Sequence, residues 1–190
     1  MKRYLFLLLA FATQSAFAQD QTTIQKDFQS IVQKTSQNKI SEVLDMTYPR
    51  LFEVMPKAQM QAMASAAMGG MGMKSIYEPV PLNLKMSKIE KVGAAQICLG
   101  AYDQSMRIEF SQPAMMDIML KTPMQGKVVA KVNDKTISIK GRDYLLAIKD
   151  AYTKGTWKYL RYDAESEALN SKVLSKAIIA KADQLKVNLK

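Results

Sequence analysis

Apolar residues recur along this chain with two different periods, and the order of the periods predicts the class of fold. Up to residue 68 they are spaced by three and four positions, as on one face of a helix. From residue 76 onwards apolar and polar residues alternate as in a strand, and after residue 170 the helical spacing returns. Helices, then consecutive strands, then a final helix predict an α+β fold with helices packed on an antiparallel sheet.

The N-terminal part of the chain carries two helical segments separated by polar residues. Thr22 or Thr23 can cap the first segment, whose apolar positions are Ile24, Phe28, Ile31 and Val32. The run SQNK interrupts the period, which restarts at Ile40, Val43, Leu44 and Tyr48. Pro49 and Pro56 each lack an amide donor, so we expect the chain to bend around them.

A methionine-rich segment follows Pro56, and its spacing predicts a third helix. The apolar positions lie along one stripe, at Met60, Met63, Ala64, Ala67 and Met68. Gly69 and Gly70 are expected to end this helix, because glycine accepts the backbone conformations that close one. We therefore interpret the stripe as core packing, in which methionine fills irregular gaps.

The alternating part of the chain predicts five or six consecutive antiparallel strands. The run YDQSMRIEF alternates strictly, and together with the preceding AAQICLGA it can form one long bent strand. A short helical excursion begins at Pro113. The turn sequences NDK and AYTKG are each expected to join two alternating runs into a hairpin. Asn170 or Ser171 can cap the final helix, whose apolar positions are Leu174, Ala177, Ile178, Ala182 and Leu185.

The first eighteen residues have the features of a secretory signal peptide. Lys2 and Arg3 precede the apolar run YLFLLLAFA, and small residues stand at Ala16 and Ala18, the positions that a signal peptidase reads. A membrane span needs about 20 apolar residues, so this run is too short to be one. We expect cleavage near Ala18, location in the periplasm or secretion, and a single domain over residues 19–190.

Positive charge is concentrated in the last third of the chain. Residues 121–190 hold fifteen Lys and Arg against seven Asp and Glu, whereas residues 19–120 hold ten of each. This bias can attract an acidic partner, or it can be the lysine-rich outer face of a sheet. Nucleic acid is not expected as a partner, because a basic–aromatic binding motif is absent. An envelope protein and a second copy of the chain remain open as partners.

The composition excludes several common chemistries. The chain contains no histidine, which removes serine–histidine triads and imidazole-ligated zinc, and we predict no cofactor. The single cysteine, Cys98, lies in an apolar run and is expected to be buried and inert. Asp163, Glu165 and Glu167 lack the spacing of a calcium loop, so we place them in a solvated turn. Clustered thioethers bind Cu(I), which leaves copper binding open at three positions, Met68, Met71 and Met73.

The sequence resembles the nuclear transport factor 2-like superfamily, in particular its exported, uncharacterised members from Bacteroidetes-type bacteria. The resemblance rests on the early stretch Tyr48, Pro49, Leu51 and Phe52, and on the late strand TWKYLRYD, residues 156–163. It implies a cone-like domain in which a curved sheet wraps a long helix and leaves a pocket at the wide end. Members of such a superfamily have different functions, so the resemblance does not fix this one.

We expect a non-catalytic module that binds a small apolar ligand or a protein partner. The predicted ligand-binding residues are Phe52, Tyr102, Met106, Trp157, Tyr159 and Arg161. Arg161 can meet a ligand carboxylate. The alternative is an isomerase- or cyclase-type enzyme with an Asp base and a Tyr. Asp103 and Tyr102 are neighbours on one strand, however, and are expected to point to opposite faces.

Overall fold

Seven helices and seven strands make up the part of the chain that the computed structural model describes, residues 2–69, 72–124, 126–163 and 166–189. Side chains are described from residue 19 onwards, except at 67–69. The helices are α1 (Lys2–Ser36), α2 (Ile40–Met46), α3 (Leu51–Val54), α4 (Lys57–Gly69), α5 (Pro113–Lys121), α6 (Glu167–Val173) and α7 (Lys176–Asn188). The strands are β1 (Met73–Tyr77), β2 (Lys85–Met86), β3 (Glu90–Val92), β4 (Ala95–Phe110), β5 (Lys127–Asn133), β6 (Thr136–Lys149) and β7 (Lys158–Arg161).

Two long strands, β4 and β6, form the centre of the sheet. They pair antiparallel from Gln96 opposite Lys149 to Glu109 opposite Thr136. The other edge of β4 pairs with β1, β2 and β3, and the other edge of β6 pairs with β5 and β7. All pairings between these strands are antiparallel, and the described strands do not close into a barrel. The fold is therefore α+β.

Helix α1 packs on one face of the sheet through a close approach at a glycine. Ile24, Phe28 and Ile31 are buried against side chains of β4, β6 and β7. A Cβ atom on Gly100 would lie 2.3 Å from Cε2 of Phe28, so only glycine lets the ring rest directly on β4. Further towards the N-terminus of α1, the carboxylate of Asp20 accepts a hydrogen bond of 3.0 Å from the indole nitrogen of Trp157.

Helix α7 packs on the opposite face of β4 and β6. Its buried residues Ile178, Ala182 and Leu185 join a cluster that contains Leu99 and Leu146 from the two central strands. The sheet thus lies between α1 and α7, and both of its faces are buried there. This explains why the two strands contain nearly continuous apolar runs in this part, as strands covered on both faces do.

Helix α5 covers the far end of the sheet. Met116 is buried against Ile108 and Phe110 of β4 and against Ile137 and Ile139 of β6. This third cluster is separate from the two that α1 and α7 form, and it continues the apolar face of the sheet beyond the end of α1.

Many of the predicted elements are confirmed. The run from Ala95 to Phe110 is one strand, a helix begins at Pro113, α4 ends at Gly69, and both predicted hairpins form. Ile24, Phe28 and Ile31 share a buried face as predicted. Tyr102 and Asp103 lie on opposite faces of β4: Tyr102 is buried beside α1, whereas Asp103 bonds to Asn83 and Arg142 at the surface.

Several other predictions are wrong. Helix α1 does not begin at a threonine cap, because Thr22 and Thr23 lie inside it. The two predicted hairpins share a strand. The second strand of the first hairpin and the first strand of the second hairpin together form β6. The last helix is capped by Ser175, whose hydroxyl accepts a hydrogen bond of 3.3 Å from the Ile178 amide, while Asn170 lies within α6. Serine and asparagine are both favoured at the N-cap of a helix. Ser175 immediately precedes α7 and therefore takes this position instead of Asn170 or Ser171.

The prediction that the methionine stripe of α4 packs in the core is also wrong. Met60 is partly buried, but Met63 is 54% exposed. The helix lies at the surface against β1 and α2, so helical spacing of apolar residues here does not lead to burial. Ala67 and Met68 lie outside the side chains that the structure describes.

The prediction that Asp163 lies in a solvated turn is wrong as well. Its carboxylate pairs with Nε of Arg161 and accepts hydrogen bonds from the amide and the hydroxyl of Ser166, at 3.0 and 2.8 Å. Glu165 lies outside the described residues. The long apolar segment that a membrane crossing requires is found in none of the helices that the structure describes.

Candidate binding cavity

A cavity of about 520 Å³ lies between the end of α1, helix α2 and the face of the sheet that α1 covers. Its helical wall includes Ile31, Val43 and Leu44. The strands contribute apolar side chains that reach the cluster under α5, namely Met106, Ile108 and Ile139, and Met119 and Met124 come from α5 and the loop after it. A volume of 300–1,000 Å³ with a mainly apolar lining is typical of sites for small molecules.

Strand β6 changes its partner strand at the wall of this cavity. Strand β5 begins at Lys127, opposite Gly141, and β7 ends at Arg161, opposite Leu145. Asp143 lies between these two positions on β6. Two strand ends therefore bring a lysine and an arginine to the same stretch of β6, and the carboxylate stands between them.

Lys127, Asp143 and Arg161 form a charged cluster in the wall of the cavity. Asp143 is 1% exposed, and the ammonium group of Lys127 donates a hydrogen bond to its Oδ1. Nη2 of Arg161 lies 3.8 Å from the same oxygen. A buried carboxylate without partners would cost several kcal/mol, so the two cations are what allow Asp143 to remain charged inside the fold.

Gly141 gives Lys127 the space to reach Asp143. A Cβ atom on Gly141 would lie 2.7 Å from Cδ of Lys127 and 2.6 Å from the carbonyl oxygen of Gly126. The aliphatic part of the Lys127 side chain therefore crosses β6 at Gly141, where no side chain stands in its way. Any larger residue at position 141 would displace the start of β5 or the lysine.

Two tyrosines and an asparagine add polar groups to the cavity wall. Tyr102 stands opposite Asp143 in the strand pairing, and Tyr77 stands opposite Met106. Burial raises the pKa of Tyr77 and raises that of Tyr102 to about 12, while the charge of Arg161 acts on both in the opposite direction. Asn170 is buried, and its amide nitrogen donates to the carbonyl of Arg161, but its side-chain oxygen has no hydrogen-bond partner among the residues that the structure describes.

Four of the six residues predicted from the sequence line the cavity. They are Tyr102, Met106, Tyr159 and Arg161. The hydroxyl of Tyr159 donates to Asp27 of α1. Phe52 and Trp157 are not among the described residues of the lining. Phe52 is partly buried in α3, and Trp157 is buried beside α1, with the ammonium group of Lys149 5.4 Å from its ring centre.

Sequence reasoning missed Lys127, Asp143, Tyr77 and Asn170. A signal existed for one of them: Asp143 follows Ile137, Ile139 and Gly141 at alternate positions, so a charge appears on the apolar face of β6. Lys127 carried no such signal, because its place depends on the missing side chain of Gly141.

Other candidate residues show no assembled chemistry. Cys98 is buried as predicted, and burial raises the pKa of its thiol to about 11, which makes it a poor nucleophile at neutral pH. Asp103 accepts hydrogen bonds from Asn83 and Arg142. Both bonds lower the pKa of its carboxyl group, and the bond from Asn83 has the larger effect. Within the described chain, no three His, Cys, Asp or Glu side chains are grouped as metal ligands. Of the methionines considered for copper, Met71 and the side chain of Met68 lie outside the described residues.

Comparison with known proteins assigns no family to this chain: no family model matches it, and no curated protein matches it significantly.

Proposed function

We propose that this protein is a non-catalytic module that binds a small, mainly apolar ligand in the cavity between α1, α2 and the sheet. The observation that carries the proposal is the cavity of about 520 Å³, whose lining combines many apolar side chains with a few polar ones at one place. An apolar ligand would gain roughly 25 cal/mol for each Å² of apolar surface that it removes from water.

The proposal includes export and membership of the nuclear transport factor 2-like superfamily. The signal-like first eighteen residues support export to the periplasm or secretion. A long helix against an antiparallel sheet, with a cavity between them, is the arrangement expected of a cone-like domain of that superfamily. In such a domain the ligand would enter at the wide end of the cone.

An isomerase- or cyclase-type reaction is less well supported than binding. It would need a carboxylate in the cavity that accepts a proton, and Asp143 is the carboxylate of the described lining. Lys127 donates a hydrogen bond to Asp143, and a cation in contact with a carboxylate stabilises its charged form and weakens it as a base. The contact between them favours a structural or positioning role for Asp143.

Filling the cavity tests the proposed function. We expect the protein to bind Nile red, a neutral apolar dye whose fluorescence rises in apolar surroundings, with saturable affinity. Met106→Trp places a larger side chain into the cavity and should weaken this binding at least about tenfold, because the space for the dye is lost. Fluorescence titration measures both affinities.

Ile118→Trp is the matched control, since Ile118 is exposed on α5 and does not belong to the described lining. It should bind the dye as the unchanged protein does. Far-UV circular dichroism verifies that both variants are folded. Equal binding by all three proteins would place the dye on the surface and contradict the proposed function.

A further inference from the structure

Each charged side chain in the described lining of the cavity has a partner of opposite charge. Lys127 donates a hydrogen bond to Asp143, and Nε of Arg161 pairs with Asp163, whose side chain is 9% exposed. Nη2 of Arg161 also lies 3.8 Å from Asp143. The wall therefore offers a charged ligand no opposite charge that is not already paired, whereas moving a charge from water into a buried site costs several kcal/mol. A neutral ligand is favoured over an anion or a cation.

Three neutral polar side chains line the cavity and hydrogen-bond to none of the described residues. They are Tyr77, Tyr102 and Gln104. Tyr102 and Gln104 are two positions apart on β4 and share a face, and Tyr77 of β1 stands opposite Met106, the next residue on that face. Side chains at diagonal positions of paired strands lie within about 8 Å of each other. The three polar groups therefore form one patch in the cavity wall.

This patch contains both donors and an acceptor. Burial raises the pKa of Tyr77 and raises that of Tyr102 to about 12, and the neighbouring Tyr77 contributes to the second shift. Both hydroxyls therefore keep their protons at neutral pH and can donate, while the amide of Gln104 can donate and accept. A carbonyl or ether oxygen on a ligand only accepts, and it would leave the oxygen of Gln104 without a partner. A hydroxyl group on a ligand can accept from a tyrosine and donate to the glutamine at the same time.

We infer that the ligand is an uncharged alcohol, whose hydroxyl group accepts a hydrogen bond from Tyr77 or Tyr102 and donates one to Gln104. Its apolar part lies along Met106 and Ile108, which continue the same face of β4 in the lining. This inference rests on the proposed function. About 520 Å³ corresponds to roughly 17 water-sized groups, since water occupies about 30 Å³ in the liquid. An alcohol of about ten carbons fits within that volume.

Decanol and its isomer methyl nonyl ether test for the hydroxyl group. Both are uncharged and contain the same atoms, but only decanol donates a hydrogen bond. Each is used to displace Nile red from the purified protein, and we expect decanol to act at a concentration about tenfold lower, the size expected for one or two neutral hydrogen bonds. In a purely apolar site the ether would be the stronger of the two, because the alcohol gives up its hydrogen bonds to water there.

Gln104→Met removes the amide and keeps the length of the side chain. It should abolish the preference for decanol and leave the affinity for the ether unchanged. Gln96→Met is the matched control, because Gln96 lies on the same strand and does not belong to the described lining. Tyr102→Phe removes one donor and keeps the ring, so it should reduce the preference even if Gln104→Met fails to fold. Circular dichroism verifies the fold of each variant.

Decanoate and decylamine test the balance of charge in the wall. At neutral pH each should displace the dye only at concentrations at least about tenfold higher than decanol, because the charged head loses water and meets no unpaired charge. A charged probe that displaces the dye as well as decanol does would contradict the preference for a neutral ligand.

Equal displacement by decanol and the ether, or a preference for decanol that Gln104→Met leaves in place, would overturn the inference about the hydroxyl group. Failure of both compounds to displace a dye that does bind would overturn the aliphatic chain as well. These results would leave the apolar cavity as the binding site. If Nile red itself does not bind, the proposed function is the part that fails.

Discussion

Buried tyrosines of this protein donate hydrogen bonds to aspartates that are distant in the sequence. The three pairs are Tyr48 with Asp150, Tyr159 with Asp27, and Tyr162 with Asp183. Each bond connects a ring in the core with a carboxylate on a turn or a helix. Burial, followed by the hydrogen bond to the aspartate, raises the pKa of all three tyrosines.

These shifts make stability depend on pH in the alkaline range. A tyrosine of the unfolded chain loses its proton near pH 10, whereas the buried ones retain theirs at higher pH. The unfolded state then binds fewer protons, so the stabilisation is complete below about pH 10 and is lost as pH rises beyond it. We expect the melting temperature to fall progressively as pH rises above about 10.

Tyr159→Phe should make this fall shallower and should cost about 1–3 kcal/mol at neutral pH, because the carboxylate of Asp27 loses its partner. The control is Tyr152→Phe, since the side chain of Tyr152 is half exposed. It should melt with the same pH dependence as the unchanged protein. Parallel melting curves for Tyr159→Phe and the unchanged protein across this pH range would contradict the explanation.

At the scale of elements, the contact between α1 and β4 depends on one missing side chain. Phe28 lies on Gly100, and its ring also meets that of Tyr159 edge to face, with centres 5.4 Å apart. Helix α1 ends beside the cavity, where Ile31 and Thr35 form part of the lining. The distance between α1 and the sheet therefore sets the width of the proposed binding site.

Gly100→Ala should destabilise the protein by about 1–3 kcal/mol, because the new methyl group overlaps the Phe28 ring and moves α1 outwards. Urea denaturation measures the change in the free energy of unfolding. In a Phe28→Leu background the same substitution should cost clearly less, since the smaller side chain leaves room for the methyl group. An equal cost in both backgrounds would show that the contact with Phe28 is not the reason why position 100 requires glycine.

At the scale of the whole molecule, the central strands connect two apolar clusters that lie on opposite faces of the sheet. Helix α1 belongs to one cluster and α7 to the other, and β4 and β6 contribute to both. Neither helix can leave without exposing strands that the other helix also covers. We expect the two faces to unfold in one cooperative transition.

The single tryptophan, Trp157, reports on the α1 face and makes this testable. Leu185→Ala removes buried side-chain volume on the α7 face and should lower stability by about 2–5 kcal/mol. The denaturation midpoint seen by Trp157 fluorescence should shift as far as the midpoint seen by far-UV circular dichroism. Val187→Ala, at an exposed position of the same helix, should shift neither. A fluorescence midpoint that Leu185→Ala leaves in place would show that the faces unfold independently.

The sequence predicted the fold better than the cavity, for a physical reason. Alternation identified β4 and both hairpins because one period defines an element over many residues. Alternation with Ile137 and Ile139 also indicates the face of β6 on which Asp143 lies, but it does not reveal the two cations that meet Asp143 there, because they come from other strands. Burial of Met63 was predicted wrongly because spacing describes a face of a helix and not what lies against it.

The meeting of two strand ends at Asp143 also has a consequence for which length changes the protein can tolerate. Residues inserted at the exposed turn between β5 and β6 would enlarge a loop and leave the charged cluster in place. Deletion of a single residue within β5 would instead turn Lys127 to the outside, because neighbouring positions of a strand face opposite ways. Related chains that keep the cluster should therefore vary in the length of that loop while the spacing from Lys127 to the turn stays constant.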